Sequence, residues 1–359
     1  MTIPGILPFS ANRVWRTYLG GRILDEMEAK ASPEDSHFPE DWIGSTTVAV
    51  NPGETSENDG LATVSVDGSE VFLRGLFEQY GEELLGPEHL ARYGPDARFL
   101  LKFLDSSIRL HIQCHPDVSF ARKHLGVNNG KTEAYVILKI REDVADPFIY
   151  FGFQKSISRE EFKRAILEQD VPGILAPFER IPVKEGDIFI VPGGLPHAIG
   201  AGVFMVEIME PTDLTVRFEF EREGIVLPES ARFMNRDVDF ALDMVDFTAL
   251  SIAELKRRLF ISDFRTRALS DESWEDILID ETHTDCFRVG KWRIHDDVVV
   301  RHDGFYYAIV LAGHGRLSAG DAELQMNTYD RFMIPYSTDS LKIQPDGSME
   351  ILTVYPPTA

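Results

Sequence analysis

Cysteine is scarce in this chain of 359 residues; Cys114 and Cys286 are the only two. They build no disulfide framework and suit a reducing compartment. No stretch approaches the roughly 18 consecutive apolar residues of a membrane-spanning helix. The first ten residues, Met1 to Ser10, have neither a basic segment nor a long apolar one, so no signal peptide is read there. Positive charge is also short, with 36 Lys and Arg against 59 Asp and Glu, a formal net charge of −23. A general phosphate-backbone binder needs a basic surface. The expectation is therefore a cytoplasmic protein with no nucleic-acid and no membrane partner. A small anionic ligand held by a few local cations stays compatible with this balance.

What is present is globular in kind: 43% hydrophobic and 26% charged residues fall in the folded range. The length fits two domains of roughly 150 residues each. The first 60 residues read as loops with short strands, with turn chemistry at Ala31 to Asp41 and at Glu54 to Gly60. Phe72, Leu73, Leu76, Phe77 and Tyr80 recur at helical spacing, and Leu84, Leu85, Leu90 and Tyr93 do so after a break at Gly86-Pro87. Two helices are predicted. Phe99 to Asp117 starts as an apolar run and then alternates, and Ala134 to Ile140 alternates too. Ser158 to Glu161 and Ser251 to Glu254 are capping boxes that open short helices, one to about Gln169 and one through Phe260.

Residues 181 to 220 read as short strands punctuated by Gly and Pro. From about residue 275 onward the chain reads as strands and turns, clearest at 298–300, 307–311, 331–335 and 350–355. The stretches 186–192 and 329–335 share a pattern of turn, acid, apolar strand and proline, which suggests two β-barrels of related design.

Three short pieces concentrate chemistry. In Gln113-Cys114-His115-Pro116-Asp117, period-2 alternation puts His111, Gln113 and His115 on one face and Cys114 on the other. In Lys131-Thr132-Glu133 the same logic puts Lys131 beside Glu133. Gly186-x5-Pro192-x-Gly194-x2-His197 presents a third imidazole from a tight turn. Two imidazoles, one carboxylate and one amide oxygen suit a borderline divalent metal such as Zn2+, with Fe2+, Mn2+ or Co2+ as further fits. The other histidines, His37, His89, His124, His283, His295, His302 and His314, are read as structural or surface groups.

The third piece resembles the second metal-binding motif of the cupin superfamily. Several motifs in order, namely Phe99 to Asp105, Leu110 to Asp117, Gly130 to Glu133, Pro196 to Gly200, Val206 to Asp213 and Val216-Arg217, resemble type I mannose-6-phosphate isomerase. The resemblance spans roughly residues 10 to 225, and more loosely 285 to 355. It implies a mainly β chain with two cupin, jelly-roll domains and helical segments in the first. Residues 1–245 would be the catalytic unit, and 246–359 a barrel without metal ligands that packs against it. It implies one zinc per chain bound by Gln113, His115, Glu133 and His197. It also implies catalytic roles for Arg217, Glu207 and Lys131, and substrate contacts for Trp42 and Ser45.

Two departures concern the substrate. His111 stands where many members carry a serine that helps hold phosphate. As a group that titrates near neutrality, it would donate to an anion. Arg222 lies among Glu219, Glu221 and Glu223, a poor phosphate cradle.

The reaction implied is aldose–ketose isomerisation of mannose 6-phosphate and fructose 6-phosphate through a cis-enediol, with Glu207 or Lys131 as base. The alternatives are an isomerase of another sugar, phosphorylated or not, a metal-dependent cupin oxygenase, and a non-catalytic sugar-binding bicupin.

Overall fold

The structure, a computed structural model, describes residues 3–52 and 56–358. The predicted turn from Glu54 to Gly60 therefore lies partly outside the described residues. The architecture is mainly β, as expected, and no described helix is long and apolar enough to cross a membrane.

Three larger sheets form the frame. A six-stranded sheet runs Ile188–Val191, Glu133–Ile140, Val203–Met209, Leu100–Asp105, Glu40–Ile43, Arg13–Val14, all antiparallel. A five-stranded sheet runs Ile181–Pro182, Phe148–Phe151, His197–Ile199, Gln113–Cys114, Val216–Arg217. The two face each other across a core containing Leu104, Tyr135, Phe151, Phe189, Val191 and Met205. A nine-stranded sheet takes nearly all its strands from residues 265–355. The strand Leu7–Pro8 crosses over to join it beside Arg331–Ile334.

The six-stranded sheet is covered on both faces. Its outer face, with Leu101, Phe103, Val136 and Ile208, shares a core with Ile309, Leu352 and Val354 of the nine-stranded sheet. Every residue of Leu100–Asp105 and of Val203–Met209 is consequently buried. This explains why the first reads as an apolar run: with both faces covered, neither set of alternate side chains meets water.

The helices behave largely as read. Leu73–Leu84 and Pro87–Tyr93 are separated at Leu85-Gly86. Arg159–Glu168 carries a complete capping box at Ser158 and Glu161. It packs with Val238–Asp243 over the outer face of the five-stranded sheet. Ile252–Leu259 is capped by Ser251, and its Leu255 packs in the core between the two smaller sheets.

Helix Arg22–Met27 was not predicted. Gly21 precedes it in a left-handed conformation (φ 97°) without a side-chain cap. The cap comes from far along the chain: Asp105 accepts from the Gly21 and Ile23 amides at 3.1 and 2.8 Å. The matching stretches 186–192 and 329–335 do share a local design. Both turn with positive φ, at Gly186 (83°) and Tyr329 (71°), into the strands Ile188–Val191 and Arg331–Ile334.

Candidate metal centre and active site

Strand pairing assembles the site. On the five-stranded sheet Gln113 lies opposite His197 on one side and Arg217 on the other, so the three share a face. On the six-stranded sheet one rung carries Trp42, Lys102, Glu207 and Tyr135. Glu133 lies two residues before Tyr135 and projects the same way. The gap between the sheets is thus lined with polar groups at one end.

His115, Glu133 and His197 are buried, and their ligand atoms all lie within 4.8 Å of one another. His115 Nε2 is 3.2 Å from Glu133 Oε1, and His197 Nε2 is 3.5 Å from Glu133 Oε2. Each imidazole places Nδ1 2.9 Å from a backbone carbonyl, Leu214 for His115 and Leu195 for His197. A carbonyl only accepts, so each Nδ1 carries the proton and each Nε2 keeps its lone pair toward the centre. Burial, with Lys131 nearby, pushes His115 down to about 3, and burial lowers His197 as well, so both stay neutral.

Burial works against the Glu133 charge, but Lys131 outweighs it and holds this carboxylate well below the usual range. Tyr135 donates to its Oε2 at 2.6 Å, while buried Oε1 accepts no aligned hydrogen bond. The Gln113 amide is 3.3 Å from His197 Nε2. It faces the ring with Nε2, and rotating the amide by half a turn presents the oxygen instead. Two imidazole lone pairs, an anionic oxygen short of donors and an amide oxygen fit a divalent cation.

A small cavity of about 20 Å³ adjoins this centre, lined among others by Lys102, His111, Gln113, Lys131, Glu207 and Arg217. It has room for about one water.

Around the cavity runs a buried ionic network that sequence reasoning missed in part. Lys102 Nζ lies 2.6 Å from Glu207 and 3.4 Å from Glu40. Arg16 binds Asp213 through two nitrogens at 2.9 and 3.0 Å, with Glu40 at 3.2 Å. Lys131 Nζ is 3.0 Å from Glu133. Burial would lower Lys102, but Glu207 and Glu40 raise it, so it stays charged. Burial raises Glu207 above the ordinary carboxylate value despite Lys102. Burial, with Arg16 behind it, lowers Arg217 to about 10. Its guanidinium donates to the Ala231 carbonyl at 3.0 Å and has no carboxylate partner among the described residues.

Arg16, Glu40, Lys102 and Asp213 were not singled out. The one local signal was a lysine inside the apolar run Leu100–Asp105, since a buried lysine needs a partner.

The residues singled out fall into two groups. Gln113, His115, Lys131, Glu133, His197, Glu207, Arg217 and His111 come together at the centre and its cavity. Trp42 lies beneath it: its indole donates to Glu40 at 2.6 Å and its ring underlies Lys102 and Arg16. Ser45 is tied into a local turn with Thr47 and does not line the cavity.

His111 differs from expectation. Burial, with Arg217 nearby, pushes it down to about 4 rather than leaving it near neutrality. Its Nδ1 faces the Glu219 carbonyl at 2.9 Å, so its Nε2, which has no partner, is an acceptor. Arg222 donates to the Arg109 carbonyl at 2.8 Å and lies 3.5 Å from Glu219, occupied as its acidic neighbours suggested.

The fold and the centre together define a mainly β protein in which two facing sheets hold a buried pair of imidazoles and a carboxylate that could bind metal. Comparison sharpens that class. The family model "Mannose-6-phosphate isomerase, cupin domain" matches residues 280–356. The mannose-6-phosphate isomerase of Streptococcus mutans is 27% identical over 307 residues, 84% of this chain and 89% of its own. The mannose-6-phosphate isomerase ManA of Bacillus subtilis is 24% identical over 284 residues, 77% and 83%. The crystal structure of the mannose 6-phosphate isomerase from Bacillus subtilis superposes with a TM-score of 0.75 at 21% identity, covering 98% of this chain and 99% of that one. The resemblance to type I mannose-6-phosphate isomerase, within the cupin superfamily, holds over nearly the whole chain.

Proposed function

We propose that this chain is a metal-dependent aldose–ketose isomerase that interconverts mannose 6-phosphate and fructose 6-phosphate. The observation that carries this reading is the buried His115–Glu133–His197 group set against the Lys102–Glu207 pair and Arg217 across one cavity. The named relatives act in the same class. We assign the metal as Zn2+, held by Gln113, His115, Glu133 and His197. An ion bound by these residues would supply Lewis-acid chemistry at the cavity.

Glu207 is the base: it lines the cavity, and burial raises its affinity for a proton. It takes the proton from the carbon beside the carbonyl and returns it to the adjacent carbon through a cis-enediol. Lys131 is the weaker choice, because its Nζ is held between Glu133 and His115. Lys131 instead sustains the Glu133 charge. Lys102 orients Glu207, and Arg217 offsets enediolate charge. His111 Nε2 accepts a sugar hydroxyl. Trp42 acts through Glu40 and Lys102, while Ser45 shapes its own turn.

We also read the chain as two cupin units, 1–245 with the site and 246–359 without it. Leu7–Pro8 and helix Ile252–Leu259 tie the two together.

A second reading has a specific observation behind it. Of the cationic side chains lining the cavity, Arg16, Lys102 and Lys131 are each paired to a carboxylate, which leaves Arg217. One unpaired guanidinium is thin provision for a phosphate, which favours an unphosphorylated sugar. One experiment tests both. Zinc-loaded protein is assayed in D2O against mannose 6-phosphate, fructose 6-phosphate, mannose and fructose. The expected result is interconversion of the phosphates with deuterium entering at C1 or C2. Turnover of the free sugars alone transfers the assignment to the second reading. Binding without exchange refutes catalysis.

A further inference from the structure

The stretch that carries Lys131 into the metal centre lies outside the sheet ladders, since the strand begins only at Glu133. Something other than strand pairing must therefore fix the backbone from Gly130 to Thr132. Its amides alternate in direction. Those of Gly130 and Thr132 donate to Glu210 Oε1 and Oε2 at 3.0 and 2.9 Å, one to each carboxylate oxygen. The Lys131 amide between them points the other way and donates to the Pro116 carbonyl at 2.9 Å. The carbonyls are held as well. Thr132 accepts from the Glu210 amide at 3.1 Å, and Gly130 accepts from the Thr212 hydroxyl at 2.7 Å.

The three segments that bear the metal-centre groups meet at Pro116. A Cβ added at Gly130 would lie 2.7 Å from the Pro116 carbonyl oxygen, and one added at Gly193 would lie 2.8 Å from it. The Gly194 amide donates to the His115 carbonyl at 2.7 Å. The backbones leading to His115, Glu133 and His197 are thus stacked at close range. Glu210 holds the middle one from the side opposite Pro116.

Glu210 is 4% exposed. Burial raises it above the ordinary carboxylate value, against the two amides and the charge of Arg98. Its direct partners are backbone amides rather than a cationic side chain. A buried carboxylate without an ion pair is an unfavourable way to fill space, because an apolar side chain does so without desolvating a charge. What the carboxylate adds is a pair of charge-assisted hydrogen bonds at a fixed separation.

We propose that Glu210 is a positioning residue of the metal centre. It clamps the amides on either side of Lys131 and so fixes where the Lys131 ammonium and the Glu133 carboxylate are presented. The inference rests on the reading of this centre as a zinc site, but not on the sugar or the reaction.

The test is a chelator competition for Zn2+ with the full chain as wild type, Glu210→Gln and Glu210→Ala, alongside thermal melting of the same three proteins without metal. Glu210→Ala removes both acceptors and should weaken zinc binding by about 10–100-fold, as loss of a group that orients metal ligands does. Glu210→Gln keeps one acceptor oxygen and turns an NH2 toward the other amide. It should show about half that effect in free energy, a loss of about 3–10-fold, and it carries the test should Glu210→Ala fail to fold. A carboxylate with a purely structural role would lower the metal-free melting temperature and leave the zinc affinity of the folded chain unchanged. A wild type that binds zinc and variants that bind it equally well overturn this inference alone. A wild type that binds no zinc overturns the reading of the centre along with it.

Discussion

Lys102 is the residue whose removal reports most directly on the site's electrostatics. Its ammonium is 2% exposed and lies 2.6 Å from Glu207 and 3.4 Å from Glu40. At an effective dielectric of about 20 these contacts amount to roughly 6 and 5 kcal/mol of gross attraction. Much of that offsets the cost of burying the charges. What a Lys102→Met variant exposes is the penalty of taking a cation from two buried carboxylates, of which Glu40 keeps Arg16 at 3.2 Å and Glu207 keeps none among the described residues, about 3–5 kcal/mol. The double variant Lys102→Met/Glu207→Gln removes one of those charges as well, so it should lose less than the single variant, by about 2 kcal/mol.

The loss should depend on pH. Burial raises Glu207 above its ordinary value of 4.5, so the folded chain binds a proton more tightly than the unfolded one. Its protonation therefore favours the fold, and stability falls as pH rises from the unfolded value through the folded one. Removing Lys102 raises the folded value further and widens the window upward. The deficit relative to wild type should be largest at pH 7.5 and smaller at pH 5.5. Urea unfolding of the metal-loaded proteins at both pH values measures it. A loss under about 1 kcal/mol, an equal loss in the double variant, or a deficit that ignores pH would refute this account of a buried pair.

Other outcomes follow from the same geometry. His197→Ala should abolish bound metal and isomerase activity together, read by elemental analysis and kcat; full activity in the metal-free variant would remove this centre from the reaction. Tyr135 donates to Glu133 at 2.6 Å, so Tyr135→Phe should weaken zinc affinity by about 10–100-fold in a chelator competition. Unchanged affinity would mean that the hydroxyl does not orient the carboxylate. His111 is pushed down to about 4 by burial, so wild type and His111→Asn should share the shape of their pH–rate profiles between pH 6 and 8. An inflection near 6.5 present only in wild type contradicts that. Stripping zinc with a chelator should lower the melting temperature, since a ligand at about 100 times its Kd adds about 2.7 kcal/mol; re-addition should restore it.

How much of this was legible beforehand depends on the range of each interaction. Lys131 and Glu133 are two residues apart, and their contact at 3.0 Å is as short-range as the expected alternation, although the strand itself begins only at Glu133. The capping box at Ser158 and the N-cap at Ser251 are equally local, although at Ser251 only half of the expected box forms because Arg257 and Arg258 hold the Glu254 carboxylate. The long strands of the last sheet were read short, as 307–311 and 350–355 instead of Tyr306–Ala319 and Ser340–Tyr355. Gly313, Gly315 and Pro345 interrupt the pattern there, and bulges absorb the interruptions. The unpredicted helix Arg22–Met27 depends on Asp105 for its cap, a partner no local window contains.

The sequence by itself determined which chemistry this protein can carry. Its imidazoles, carboxylate and amide stand at strand spacing and at a Gly/Pro turn, and these are short-range facts of alternation and turn geometry. Only the tertiary structure decided the protonation and pairing of the groups around them. It set Lys102 against Glu207, Arg16 against Asp213, and Arg222 against Glu219. It also made His111 a neutral acceptor. The physical reason is that burial and partner charges set a buried group's ionisation, and both come from sheets brought face to face by residues far apart in the chain.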